Sequence, residues 1–169
     1  MTHRISMYAM YTALAFVFSY IESLIPLSIG IPGVKPGFAN IVILLVVCSS
    51  GHITDAYSIA VIRVVLTGLT YGNLSTMIYA LAGTLLATTS MLISKNSGLL
   101  STTGISIIGG IAHNMGQLIA AIIMLSTAGL IYYLPVLVIS GLVTGMVTGI
   151  ITDKCIKHLG RHAHNPGLQ

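Results

Sequence analysis

Long apolar stretches alternate with short polar or Pro/Gly breaks along the chain. A helix needs about 20 mostly apolar residues to cross the hydrocarbon core of a bilayer, and stretches near that length recur. The pattern predicts a first helix over Ile5–Ile25, stopped by Pro26. A second begins near Phe38 and runs to Ser50. It is short, so it either starts within the preceding loop or crosses only part of the bilayer. A third covers Thr54–Leu69 and stops at TYGNLS; a fourth covers Thr76–Ser94. The fifth runs from Ile105 to Leu125 and the sixth from Leu134 to Thr152. The expectation is an all-α integral membrane protein, about six transmembrane helices in one compact bundle. The transmembrane domain spans 1–153, and 154–169 form a polar cytoplasmic tail that frays. The basic, then apolar N-terminal stretch ends in SYIESLIP without a small-residue cleavage site, so it reads as a retained helix.

Composition agrees. Charged residues make up 6% of the chain and hydrophobic ones 55%, where soluble domains carry about 25% charged residues. The mean hydropathy is +0.97. No water-soluble surface can be built from this inventory. The net charge of +4 is scattered, with no basic face, so nucleic acid is not an expected partner. Positive charge in such a chain reports topology instead. With the N-terminus inside, Arg4, Lys95, Lys154, Lys157 and Arg161 all become cytoplasmic, as do both ends of the chain. Lys35 and Arg63 are left over.

Those two cations direct attention to the polar groups between the apolar runs. Arg63 falls near the middle of the third helix, where insertion scales put a charge at about +2.5 to +3.5 kcal/mol. It needs a partner or a wet cavity. Glu22 is the only acid expected near it, and Asp55 is placed to cap the third helix. Asn40, Tyr71, Asn73, His113, Asn114 and Gln117 fall in the outer half or at the midplane. His113 and Gln117 share a helix face. The inner half is expected to hold few polar groups between its boundary charges. A polar pocket opening outward, formed by the first loop and the first, third and fifth helices, is the simplest arrangement. The plainer alternative is that Asn, Gln and His act as interhelical glue, worth about 0.6 kcal/mol each, with Glu22 and Arg63 as a structural ion pair. In GIPGVKPGFANIV, Pro32, Gly33, Pro36 and Gly37 stiffen a tight loop that holds Lys35 over the pocket mouth. A lysine reaching to lipid phosphates is the competing role. Gly37 and Asn40 fall at a helix N-terminus, where free amides attract anions. The expected ligand contacts are Glu22, Lys35, Gly37, Asn40, Arg63, Asn73, His113, Asn114 and Gln117.

Several chemistries are not signalled. No GxxxxGK[ST] loop is present, so any ATP is used by partner subunits and no cofactor is expected on this chain. The acids are too far apart to hold magnesium and a diphosphate. Cys48 and Cys155 have no metal spacing, and no metal site or catalytic constellation is expected. Small residues repeat every four positions at Ala9 and Ala13, at Ala112, Gly116 and Ala120, and at Gly141, Gly145 and Gly149. Such faces let helix backbones approach closely.

The segments GVKPGFANIV, RVVLTGLTYGN and GGIAHNMGQLIAA resemble the bacterial Gx transporter family, also labelled heptaprenyl diphosphate synthase component I. The resemblance runs from the first helix through LPVLVISGLVTG. That family is similar to the substrate-binding S components of energy-coupling-factor transporters. The resemblance implies six membrane helices with both ends cytoplasmic, in the cell membrane. It implies capture of a small vitamin- or cofactor-precursor-like nutrient from outside. It also implies a transmembrane coupling subunit and ATPase subunits as partners, engaged through Ala9 and Ala13. The synthase label implies an enzyme, but the aspartate-rich motifs of prenyl synthases are missing, so none is expected. An alternative is a membrane subunit of a quinone, prenyl-lipid or flavin-linked electron-transfer system.

Overall fold

The apolar runs fold as helices: α1 Thr2–Leu24, α2 Phe38–Ser49, α3 Ile53–Thr70, α4 Leu74–Asn96, α5 Thr102–Leu125 and α6 Leu134–Ala163. A 3-10 turn, Ala128–Tyr133, leads into α6. The computed structural model describes residues 2–24, 37–49 and 52–163, and the side chains of 5–24, 37–49 and 52–158. Among the described residues there is no strand. Among the same residues, five helical segments are long and apolar enough to cross a membrane, the last joining the 3-10 turn to α6. They turn large apolar side chains outward, among them Leu14, Val17, Ile62, Ile119 and Ile139. That is the pattern of a multi-pass membrane bundle.

The exception is α2. Its 12 residues rise only about 18 Å at 1.5 Å per residue. Ala39, Ile41, Val42, Ile43, Leu44, Val46 and Val47 are all buried, and α1, α3, α4 and α6 surround it. A helix apolar all round belongs in a core, and here its side chains form one with Ala56, Ile59, Ala60, Met91 and Ile105 of its neighbours. Its ends are held by charges from other helices. The Glu22 carboxylate of α1 accepts from the Phe38 amide. Lys95 Nζ of α4 donates to the Val47 carbonyl at 2.5 Å. Each charge has the sign that the helix dipole favours. Glu22 is therefore an anchor for α2, and among the described residues no carboxylate forms an ion pair with Arg63.

α5 is gripped from both sides through small residues. A methyl on Gly116 would lie 2.7 Å from the Ala82 carbonyl oxygen of α4. One on Gly145 would lie 2.7 Å from Ile107 Cα, and one on Gly149 2.7 Å from Thr103 Cα. Ser106 and Thr148 add a buried hydroxyl pair at 2.9 Å between α5 and α6. The small stripes of α5 and α6 are thus spent inside the bundle. Ala9 and Ala13 are exposed on α1.

Some expectations are corrected. The helix α6 continues past 153 to Ala163, into the stretch expected as a tail, where the polar run holds an (i, i+4) ion pair of 2.6 Å between Lys157 and Asp153. Asp55 is not the cap of α3; His52 holds that position. Asp55 sits in the first turn and accepts from Tyr8 of α1. The half of the bundle away from Phe38 and Tyr71, expected to be the inner one, is also less dry than expected. Thr88, Ser106, Thr148 and Thr152 are buried there, and the threonines bond carbonyls one turn back.

The Tyr8–Asp55, Lys95–Val47 and Gly149–Thr103 contacts gather one end of the bundle. Glu22, Phe38, Tyr71 and Asn73 lie toward the other.

Candidate functional site

At that second end a cavity of about 310 Å³ opens among the helices. Ser19, Glu22 and Ser23 of α1 line it, one face of a helix by their spacing. Gly37 and Asn40 stand at the start of α2; Arg63, Thr67 and Tyr71 descend from α3; Thr76, Met77 and Ala80 come from α4. α5 contributes His113, Asn114 and Gln117, and α6 contributes Thr144. All the contacts expected from sequence therefore share one cavity except Lys35, which lies outside the described residues. The walls are wider than expected, since α2, α4 and α6 join α1, α3 and α5.

Arg63 is the electrostatic centre. It is 7% exposed. Its Nη1 donates to Ser19 Oγ at 3.3 Å and its Nη2 to Thr84 Oγ1 at 3.1 Å. Nε is buried with no hydrogen-bond partner. Neutral hydroxyls orient the guanidinium, and the Glu22 carboxylate attracts it without forming an ion pair; a buried charge is costly until it is paired.

Tyr71, just past α3, caps that helix with its amide on the Thr67 carbonyl at 3.2 Å. Its ring lies 5.9 Å from Phe16 and 5.7 Å from Tyr20, centroid to centroid. Burial pushes its phenol above the ordinary value, against the pull of the Ser19 hydroxyl and the Arg63 charge. It stays a neutral O–H that can donate or accept.

Other polar groups are partly committed. The Asn73 carboxamide oxygen caps α4, accepting from the Thr76 amide at 2.8 Å, and Thr76 Oγ1 accepts from the Asn73 amide at 3.0 Å. This is a capping box, so Asn73 is a rim residue with one duty already. Asn114 Nδ2 donates to the Leu137 carbonyl at 2.7 Å and ties α5 to the start of α6. His113 and Gln117 pass over Gly83; a methyl there would meet Gln117 Cγ and the His113 carbonyl at 2.7 Å each. The first turn of α2 is less open to anions than its position suggested. Its Phe38 amide already serves Glu22, and its Asn40 amide serves the Gly37 carbonyl at 2.9 Å.

Ser19, Thr67, Thr76 and Thr144 were not singled out from sequence. Hydroxyls in apolar helices are common, and only their spacing from Glu22, Arg63 and Asn73 could have marked them.

A second cavity of about 340 Å³ adjoins the first. Tyr79, Leu118, Ala121, Leu130, Tyr133 and Leu137 give it a mostly apolar wall. Thr76, Ala80, Asn114 and Gln117 line both. Among the described residues no group of three or more His, Cys, Asp or Glu could hold a metal.

A family model described as heptaprenyl diphosphate synthase component I matches residues 11–155. No curated protein and no solved structure matches the chain.

Proposed function

Because the chain belongs to the heptaprenyl diphosphate synthase component I family, we propose that it acts there by binding rather than by catalysis. In this reading it is the substrate-capture subunit of an energy-coupling-factor type transporter. Its cavity faces outward and takes a small anionic or carbonyl-rich nutrient. Separate ATPase subunits supply the energy through a membrane coupling subunit that meets α1 at Ala9 and Ala13. The site is the cell membrane.

The observation that carries the reading is Arg63, buried in the wall of a polar cavity, with its Nε unmatched and, among the described residues, only neutral hydroxyls as hydrogen-bond partners. A bound carboxylate or phosphate would supply the missing charge and acceptors. The adjoining apolar cavity favours a second reading, in which a quinone or prenyl-lipid headgroup faces Arg63 and His113.

Native mass spectrometry of the purified protein tests both. A retained water-soluble acid, lost from Arg63→Gln, is expected. A retained isoprenoid or quinone would move the assignment to the second reading. An empty protein that no small acid stabilises against heat would remove both.

A further inference from the structure

The two cavities share part of their lining, and their walls differ. One side presents Arg63, Tyr71 and Asn40. The other presents Leu118, Ala121, Leu130 and Leu137. Between them stand Asn114 and Gln117, which line both. Asn114 is fixed there by its bond to the Leu137 carbonyl, and its own carbonyl oxygen remains available. A wholly polar solute would use only the first chamber and leave the second filled by water with few polar partners. A wholly apolar one would leave Arg63 unpaired.

Resting on the capture reading, we propose that the ligand has two parts. An anionic or carbonyl-bearing head lies against Arg63, and an apolar group lies past Asn114 and Gln117, between α4, α5 and the 3-10 turn. An apolar cavity of about 150 Å³ accommodates a benzene. At about 340 Å³ the second chamber has room for more than a single ring: a fused aromatic or a short branched chain. Burying such a group adds affinity in proportion to its apolar area. The head fixes orientation and the tail adds selectivity. A lipid-derived amphiphile and a free aromatic acid share this chemistry.

The test uses the full chain in lipid nanodiscs with three probes: butyrate, 4-phenylbutyrate and 4-phenylbutyramide. The unmodified protein is expected to bind 4-phenylbutyrate at least tenfold tighter than either of the others. Ala121→Phe fills the apolar chamber and should bring 4-phenylbutyrate down to butyrate without changing butyrate itself. Leu130→Trp fills the same chamber from the 3-10 turn and serves if the first variant does not fold. Arg63→Gln should erase the preference of acid over amide. Lysophosphatidate in the disc that competes with 4-phenylbutyrate marks a lipid source, and binding unmoved by it marks a free solute; both outcomes support a two-part ligand. The proposal is overturned if butyrate binds as tightly as 4-phenylbutyrate, or if the tenfold advantage survives both filling variants. In either case a retained preference for acid over amide leaves the capture reading standing. If no acid binds at all, both fall.

Discussion

Arg63 Nη2 donates to Thr84 Oγ1 at 3.1 Å, joining the middle of α3 to α4 by a charged group and a neutral one. The bond orients the guanidinium without cancelling its charge. Arg63→Met removes a charge that costs about 2.5–3.5 kcal/mol at a helix centre. The hydroxyls left behind, Ser19 and Thr84, can turn to carbonyls of their own helices. The variant is expected to keep or raise the thermal midpoint in detergent while losing retained ligand. A lower midpoint with ligand retention intact would make Arg63 a structural residue.

Glu22 has a different duty. Glu22→Ala leaves the Phe38 amide of the core helix without its acceptor, at a cost of about 1–2 kcal/mol. Glu22→Gln keeps an acceptor and should lose less. Unfolding by denaturing detergent, followed by circular dichroism, ranks the two. Equal losses would show that charge, rather than hydrogen bonding, secures α2.

The seam between α5 and α6 sets up a contrast between two glycines. A methyl at Gly145 would meet Ile107 Cα and the Ser106 carbonyl at 2.7 Å, both backbone. Gly145→Ala must push the helices apart, at about 1–3 kcal/mol. At Gly104 the nearest atom is Leu100 Cδ2, at 3.4 Å. Gly104→Ala should be neutral or gain about 0.5–1 kcal/mol, because glycine weakens helices. The same unfolding assay compares them, and similar losses at the two sites would contradict the packing described.

Gly37 tests backbone geometry. Its φ is +78°, and the nearest atoms to an added methyl lie 3.8 Å away. Gly37→Ala therefore meets strain without a clash, about 1–2 kcal/mol for the left-handed conformation. Gly37→Asn should lose less. An alanine variant as stable as the parent would mean that the turn relaxes freely.

Orientation can be read by labelling. On a background with Cys48 and Cys155 replaced by alanine, Ser75→Cys sits at the cavity end, in the first turn of α4. Leu99→Cys lies just past the opposite end of that helix, 88% exposed. An impermeant maleimide added to whole cells is expected to label the first and to reach the second only after permeabilisation. The reverse order would place the cavity on the cytoplasmic side and end the nutrient-capture reading.

Hydropathy alone marked the long spans, because a run such as Thr102–Leu125 has no soluble alternative. Arg63 and Gln117 also stood out, since polar groups at those depths are conspicuous. What stayed hidden depends on partners distant in sequence. Glu22 looked like a mate for Arg63; it does attract that charge, but its hydrogen bond goes to the Phe38 amide, sixteen positions on. Ser19 and Thr84 gave no sign that they would hold a guanidinium, because serine and threonine in apolar helices usually bond their own backbone. The polar run from Asp153 read as a tail, although its charges sit four apart on one helical face.

α2 has one more consequence. Lys95 fastens its last turns level with the end of α4, so the shortfall of an about 18 Å helix in an about 30 Å slab falls at the other end. The hollow lies at that end, with Gly37, Ala39 and Asn40 in its wall. It exists because a pillar stops early, with its neighbours rising past it. Exchanging wall residues would alter what lodges there; adding turns ahead of Phe38 would leave nowhere to lodge.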